Sequence, residues 1–224
     1  MSEKNLDLNS VLFHGLEPVE AEQRTEKALE KLESVLQTGA ILSRGEQLKR
    51  FNIETHRFLE KYTKETFWGN WNGNDYILIC KKQSRVKSEC ESGGFFFYVA
   101  RDGGISIALS QDVLTLVDSN RRLLMDGELQ VKDSIPLEYM VGIVFGGRSL
   151  KEINDYVSAG EKGDITQEDI KEHFSQDLVE KQDEIVGSIR DLLFKYGYEN
   201  IPIYSSRDGF EIENVQDVID EMGL

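Results

Sequence analysis

The chain contains few of the residues that build metal and disulfide sites. It has two cysteines, three prolines and three histidines in 224 residues. Cys80 and Cys90 are ten positions apart and match no metal-ligand pattern, and Cys80 ends an apolar run that is typical of a core position. The histidines are far apart in sequence and show no H-x-x-x-H spacing. These absences argue against a structural zinc site, so no metal is expected.

Long hydrophobic runs are also missing. A membrane-spanning helix needs roughly 20 consecutive apolar residues, and no stretch of this chain approaches that length. The first seven residues, Met1 to Asp7, are mostly polar and do not resemble the apolar part of an export signal. We therefore expect a protein of a reducing compartment, the cytoplasm. A signal for a specialised secretion system, which would deliver the protein to a host cytosol, would not be visible at this level.

Basic residues are outnumbered, with 26 Lys and Arg against 41 Asp and Glu and a formal net charge of −15. Such a field repels a nucleic-acid backbone, and the basic segments at 81–87 and 121–122 are short and lack interleaved aromatic residues. The charge predicts a protein or small-molecule partner, with a basic protein among the candidates, rather than nucleic acid. General solubility is the commoner reason for an acidic excess, so this expectation rests on charge alone.

Hydrophobic periodicity predicts helices at the two ends of the chain. The segment Pro18–Gln37 has an apolar stripe at helical spacing, and Gly39 suits the position just past its end. A second helical pattern covers about Glu46–Tyr62. Near the C-terminus, a strong amphipathic pattern over 185–196 ends before Gly197, and a last helical pattern covers 215–222.

Strand patterns lie between these helices, at Val11–Gly15, Tyr76–Cys80, Phe95–Ala100, Ile105–Leu109, Glu128–Val131 and Leu137–Phe145, with a short one at Ile201–Tyr204. The turn Arg101-Asp102-Gly103-Gly104 predicts a hairpin between the third and fourth of them. The order predicts an α+β fold with two small, mostly antiparallel sheets around a cleft. We expect one domain over 1–224, with a core at about 10–147 and a helical and short-strand extension over 148–224.

One acidic residue stands out because of its position. Glu138 lies at the start of the most apolar strand pattern in the chain, in which seven of the eight residues from Tyr139 to Gly146 are apolar or Gly. A carboxylate at such a position is paired, left at the solvent edge or used in chemistry. The simplest alternative is that Glu138 occupies a turn after Pro136 and faces water.

Four segments together resemble ADP-ribosyltransferases of the diphtheria-toxin-like and poly(ADP-ribose)-polymerase-like group. The segments follow one another along the chain in the order found in the family. They are the His-Gly strand at Leu12-Phe13-His14-Gly15, the end of a helix with the Gly-containing segment after it at 36–44, the Gly-Ile segment at Gly103–Ala108, and the glutamate motif at Glu138-Tyr139-Met140-Val141. The resemblance covers residues of roughly 11 to 145. It implies a divergent, bacterial-type member, an effector or toxin, that uses NAD as substrate.

The resemblance also implies roles for particular residues. His14 would bind a ribose hydroxyl, and Gly15 would let the nicotinamide amide approach the backbone. Tyr98 is the candidate for an aromatic ring that stacks on the nicotinamide, and Arg44 for a cation that meets the pyrophosphate, with Arg101 as a further candidate. Glu138 would bind the ribose 2′-hydroxyl and stabilise the oxocarbenium-like transition state.

The chain departs from the family pattern at two positions. Ser106 stands where polymerase-like members have Tyr, although Ser occurs here in the Arg-Ser-Glu toxin branch, so Ser106 stays a candidate for the cofactor site. Pro136 stands where arginine-modifying toxins carry a second acid, which disfavours arginine as acceptor. Two other functions fit the same residues: an NAD hydrolase that uses water as acceptor, and a non-catalytic interaction module on a degenerate transferase fold.

Overall fold

The fold follows from a computed structural model, which describes residues 5–16, 24–50, 76–82, 104–117, 128–164, 166 and 176–212. The α-helices in these ranges are α1 (Arg24–Thr38), α2 (Arg44–Arg50), α3 (Leu150–Glu161) and α4 (Gln176–Lys195). Two short 310 helices cover Gln111–Leu116 and Leu137–Tyr139. The strands are β1 (Leu12–Gly15), β2 (Ala40–Leu42), β3 (Tyr76–Lys81), β4 (Ile105–Leu109), β5 (Glu128–Lys132), β6 (Ser134–Pro136), β7 (Met140–Phe145) and β8 (Ile203–Ser205).

The strands of the described ranges form two sheets. The larger sheet has six strands in the order β5-β3-β1-β4-β7-β8, and the smaller one pairs β2 with β6. Every pair is antiparallel except β7 with β8. The predicted α+β class with mostly antiparallel sheets is confirmed, although one sheet is large and only the other is small.

The neighbours of strand β4 differ from those of the predicted hairpin. The turn at 101–104 predicts a pairing of β4 with Phe95–Ala100, but the two edges of β4 are bonded to β1 and to β7. A strand has only two hydrogen-bonding edges, so no third partner can join it over this length. Residues 95–100 themselves, most of the predicted helix Glu46–Tyr62 and the predicted helix 215–222 lie outside the described residues.

Helix α1 forms where the apolar stripe predicted it. Ala28 and Leu32 are fully buried on its inner face, four positions apart, as one stripe of a helix requires. The helix ends at Thr38 and is followed by Gly39, which has a positive φ of 70° and donates its N–H to the carbonyl of Val35 at 3.0 Å. This is the glycine termination that the sequence predicted.

The large sheet separates two hydrophobic cores. One face carries Ile105, Ile107 and Leu109 and packs against α1, α4 and the small sheet, forming the larger core. The other face carries the smaller core, in which Phe13 and Val144 are buried together with Leu8 of the N-terminal segment. Alternation along the strands therefore decides which core each side chain enters.

The C-terminal elements lie close to their predicted positions. Helix α4 contains the predicted stripe, with Ile189 and Leu193 buried in the larger core, and it ends before Gly197. Strand β8 adds to the edge of the large sheet through a parallel pairing with β7. The described part of the chain contains no helix that is both long enough and apolar enough to cross a bilayer.

Candidate functional site

His14 lies on β1, in the middle of the large sheet. Its register partner on β4 is Ile107, so its side chain projects into the face of the larger core, where α1 packs. The ring is half-buried, and Nδ1 lies 2.9 Å from the backbone oxygen of Leu78. A carbonyl oxygen only accepts, so Nδ1 carries the proton and Nε2 keeps its lone pair. No residue in the described ranges forms a hydrogen bond to Nε2.

The environment of His14 favours the neutral ring. Burial lowers the pKa of His14 below its ordinary value of 6.5, the hydrogen bond to the Leu78 carbonyl opposes this change, and the positive charge of Lys31 lowers the pKa further. A neutral imidazole with a fixed Nδ1–H can accept a hydrogen bond at Nε2. Nε2 of the His14 ring is therefore available as a hydrogen-bond acceptor.

Lys31 is a neighbour of this site that the sequence interpretation did not include. It is exposed on α1, beside the buried Leu32, and its charge acts on the His14 ring. The helical stripe of α1 could have pointed to Lys31. Lys31 directly precedes Leu32, which packs on the face of the sheet formed by β1 and β4. The cations that the sequence suggests for the site are Arg44 and Arg101 instead.

We expect the stability of the protein to fall as the pH drops through 6.5, the ordinary pKa of a histidine, in part because of His14. The pKa of His14 is lower in the folded protein than in the unfolded chain, so the unfolded chain binds more protons near this pH. The stabilisation is complete above the unfolded pKa and is lost as the pH falls toward the folded pKa.

Chemical denaturation of the wild type and of His14→Asn at several pH values checks this. Asn keeps an N–H donor for the Leu78 carbonyl but does not titrate, so the difference in unfolding free energy between the two proteins should shift with pH in favour of the variant as the pH falls. Parallel pH profiles of the two proteins would contradict the expectation.

Gly15 and Ser106 occupy the other face of the sheet. They are register partners, and Ser106 also pairs with Val144, which belongs to the smaller core. Ser106 is fully buried. The side chains of His14 and Ser106 therefore project to opposite faces, and the structure does not bring these two candidate cofactor-binding groups together.

Glu138 does not belong to a strand. It is the central residue of the one-turn 310 helix, Leu137–Tyr139, that follows Pro136, and its side chain is exposed. The predicted strand Leu137–Phe145 begins only at Met140, because the turn is needed to lead the chain from the small sheet into the large one. The alternative of a turn residue facing water describes this local geometry correctly.

The backbone around Glu138 is held on both sides. The N–H of Leu137 donates to the carbonyl of Gly39 at 3.1 Å, and the N–H of Ser110 donates to the carbonyl of Tyr139 at 2.8 Å. We call these two hydrogen bonds the Glu138 clamp. The carboxylate is thus exposed while its backbone is fixed to the small sheet and to the end of β4.

The resemblance also predicts that His14 and Glu138 lie on adjacent strands, and this prediction is wrong. Strand β4 lies between β1 and β7, and Glu138 precedes β7 by two residues. Across β4, His14 is level with Ile143, five residues after Glu138, so with about 4.8 Å between strands and up to about 3.3 Å per residue the two Cα atoms are roughly 17–19 Å apart. Such a separation lets the two side chains contact different parts of one extended ligand, but not one hydroxyl group.

The structure describes the remaining site candidates only in part. Arg44 is the first residue of α2, and its side chain is outside the described part of the structure. Tyr98 and Arg101 lie outside the described residues altogether. Within the described ranges, no group of three or more His, Cys, Asp or Glu side chains is placed to hold a metal ion.

Comparison of the chain with protein-family models and with curated proteins found no match.

Proposed function

We propose that this chain transfers ADP-ribose from NAD to a protein or small-molecule acceptor. The observation that carries the proposal is the carboxylate of Glu138, which is exposed to solvent while its backbone is held by the Glu138 clamp. An oxocarbenium-like transition state is stabilised by a nearby negative charge, and here an accessible carboxylate stands on a backbone that is held in place.

His14 supplies the second part of the proposed site. The His14 ring is neutral and oriented, with Nε2 as an acceptor for a ribose hydroxyl. Gly15 follows it at the end of β1, level with Val144 and two strands away from β7, so we assign Gly15 no contact with the nicotinamide amide. We assign no ligand contact to the Ser106 side chain, since it is buried on the opposite face from His14.

The roles of the residues in the reaction follow from these positions. The carboxylate of Glu138 binds the 2′-hydroxyl of the nicotinamide ribose and stabilises the positive charge that develops as the bond to nicotinamide breaks. It then accepts the proton of the attacking acceptor group. His14 holds a ribose hydroxyl of the same dinucleotide, and the exposed ammonium of Lys31 adds positive charge beside it.

NAD binding is tested most directly by thermal unfolding with increasing NAD. Ligand at about 100 times Kd should stabilise the fold by about 2.7 kcal/mol, which corresponds to a rise in Tm of roughly 5–10 °C for a chain of this size. Nicotinic acid at the same concentration serves as a control without the ribose groups. An unchanged Tm would favour the interaction module over both enzymes.

The reaction itself is tested with NAD labelled in the adenylate half and, separately, in the nicotinamide. After incubation with a cell lysate, transfer should place the adenylate label on an acceptor and release the nicotinamide label. Release of free ADP-ribose with no labelled acceptor would identify an NAD hydrolase instead.

The charge of the chain predicts the class of acceptor. With 41 acidic and 26 basic residues, it should modify a protein or small molecule, and its association with a basic protein should weaken as salt rises. Filter binding at increasing ionic strength measures this. Adenylate label on purified RNA or DNA, or an association insensitive to salt, would overturn the expectation.

A further inference from the structure

Gly39 links helix α1 to the candidate catalytic residue. It terminates α1, it precedes β2 directly, and its carbonyl accepts the N–H of Leu137 at 3.1 Å. The neighbouring pair Ala40 and Pro136 are register partners in the small sheet. The residue before Glu138 is therefore attached to Gly39 both by a hydrogen bond and by the pairing of the adjoining strands.

The left-handed conformation of Gly39 directs this carbonyl. Its φ is 70°, in the left-handed region that residues with a side chain rarely adopt. Space is not the reason for a glycine here, because a Cβ atom built on Gly39 would meet no other atom within 4 Å. What the position requires is the backbone conformation, and this conformation sets the direction in which the carbonyl points.

We infer that Gly39 is a positioning residue for the Glu138 carboxylate, acting through the hydrogen bond from Leu137. The inference rests on the proposed function, since it concerns how the same site is aligned. If Gly39 leaves the left-handed conformation, its carbonyl turns away, and the Glu138 clamp loses the bond to Leu137 and keeps the bond between Tyr139 and Ser110. A displacement of about 1 Å at a reacting group costs up to about 100-fold in rate.

Two substitutions at Gly39 separate backbone conformation from the presence of a side chain. Asn tolerates the left-handed region, whereas the β-branched Val does not, and both side chains enter the same open space. We expect Gly39→Val to lower kcat for transfer by about 10- to 100-fold with the KM for NAD nearly unchanged. Gly39→Asn should restore most of the wild-type kcat.

Gly163 provides a matched control. It follows α3 and has a positive φ of 80°. A Cβ atom built on Gly163 would also meet no other atom within 4 Å. Unlike Gly39, it takes part in neither bond of the Glu138 clamp. Gly163→Val should therefore carry a similar backbone strain and a similar loss of stability while kcat stays at the wild-type value. An equal fall in kcat in both Val variants would show that Gly39 acts through stability alone and would overturn the inference.

Hydrogen exchange at the amide of Leu137 gives a readout that does not depend on activity. The amide should be protected in the wild type and in Gly39→Asn, and should exchange faster in Gly39→Val. Unchanged protection in Gly39→Val would overturn the inference even in an active enzyme. Absence of transfer in the wild type would instead reject the proposed function, and the exchange rates would still decide whether Gly39 holds the turn of Glu138.

Discussion

Replacing Glu138 by Gln should lower the rate of ADP-ribose transfer by about 100- to 1,000-fold while NAD binds nearly as tightly as before. Gln keeps the shape of the side chain and a hydrogen-bonding oxygen, so the ground-state contact to a ribose hydroxyl persists. It lacks the negative charge, so the stabilisation of the developing oxocarbenium ion is lost only in the transition state. Because Glu138 is exposed, the unfolding free energy should change by no more than about 0.5 kcal/mol.

The measurement pairs single-turnover transfer of labelled ADP-ribose with a thermal-shift titration of NAD. Glu199→Gln is the matched control, because Glu199 is also an exposed acid in a turn and its substitution removes the same charge outside the proposed site. The control should keep wild-type transfer. Full activity in Glu138→Gln would remove this carboxylate from the mechanism.

Replacing Gly209 by Ala should cause the largest loss of stability, about 3 kcal/mol or more, which is a fall in Tm of roughly 6–12 °C. Gly209 has a φ of 80°, and a Cβ atom at this position would lie 2.2 Å from the backbone oxygen of Leu6. The backbone of Leu6 cannot simply move, since its N–H donates to the carbonyl of Gly209 at 2.8 Å and the neighbouring Asn5 forms a bridge with Phe210. The N-terminal segment would be displaced from the smaller core that it covers.

Gly163→Ala separates the cost of the backbone conformation from the cost of the clash with Leu6. Gly163 has the same φ of 80° but open space around its Cβ position, so its substitution costs only the left-handed conformation, about 1–2 kcal/mol. Denaturant unfolding of both variants gives the difference, which measures the clash with Leu6. Equal losses in the two variants would mean that the N-terminal segment contributes little to the stability of the fold.

Local patterns were sufficient for most of the helices and strands in the described ranges. The apolar run Ile105–Leu109 predicted β4 with both of its ends correct, and the stripe containing Ala28 and Leu32 predicted α1. The glycine termination at Gly39 was also visible, because a positive φ just after a helix is a property of a few residues in one place. Such features depend on neighbours within a few positions along the chain.

The relation between His14 and Glu138 could not be predicted in the same way. Both residues were selected by short motifs, but the strand between β1 and β7 and the 310 turn before β7 depend on pairings between segments that are far apart in sequence. The opposite faces of His14 and Ser106 follow from register, which a shift of one residue would reverse. Lys31 joins the surroundings of His14 only because α1 packs over that face.

Composition and local periodicity were enough to establish the α+β class, the positions of α1 and β4 and the acidic net charge, while short motifs that resemble a family selected the candidate residues His14 and Glu138. Three features emerge only from the folded chain: which strands occupy the edges of β4, how Leu78 orients the His14 ring, and how Gly39 and Ser110 hold the Glu138 turn. The physical reason is that hydrogen bonds between distant segments fix these positions, and their partners are chosen by packing of the whole chain rather than by any local pattern.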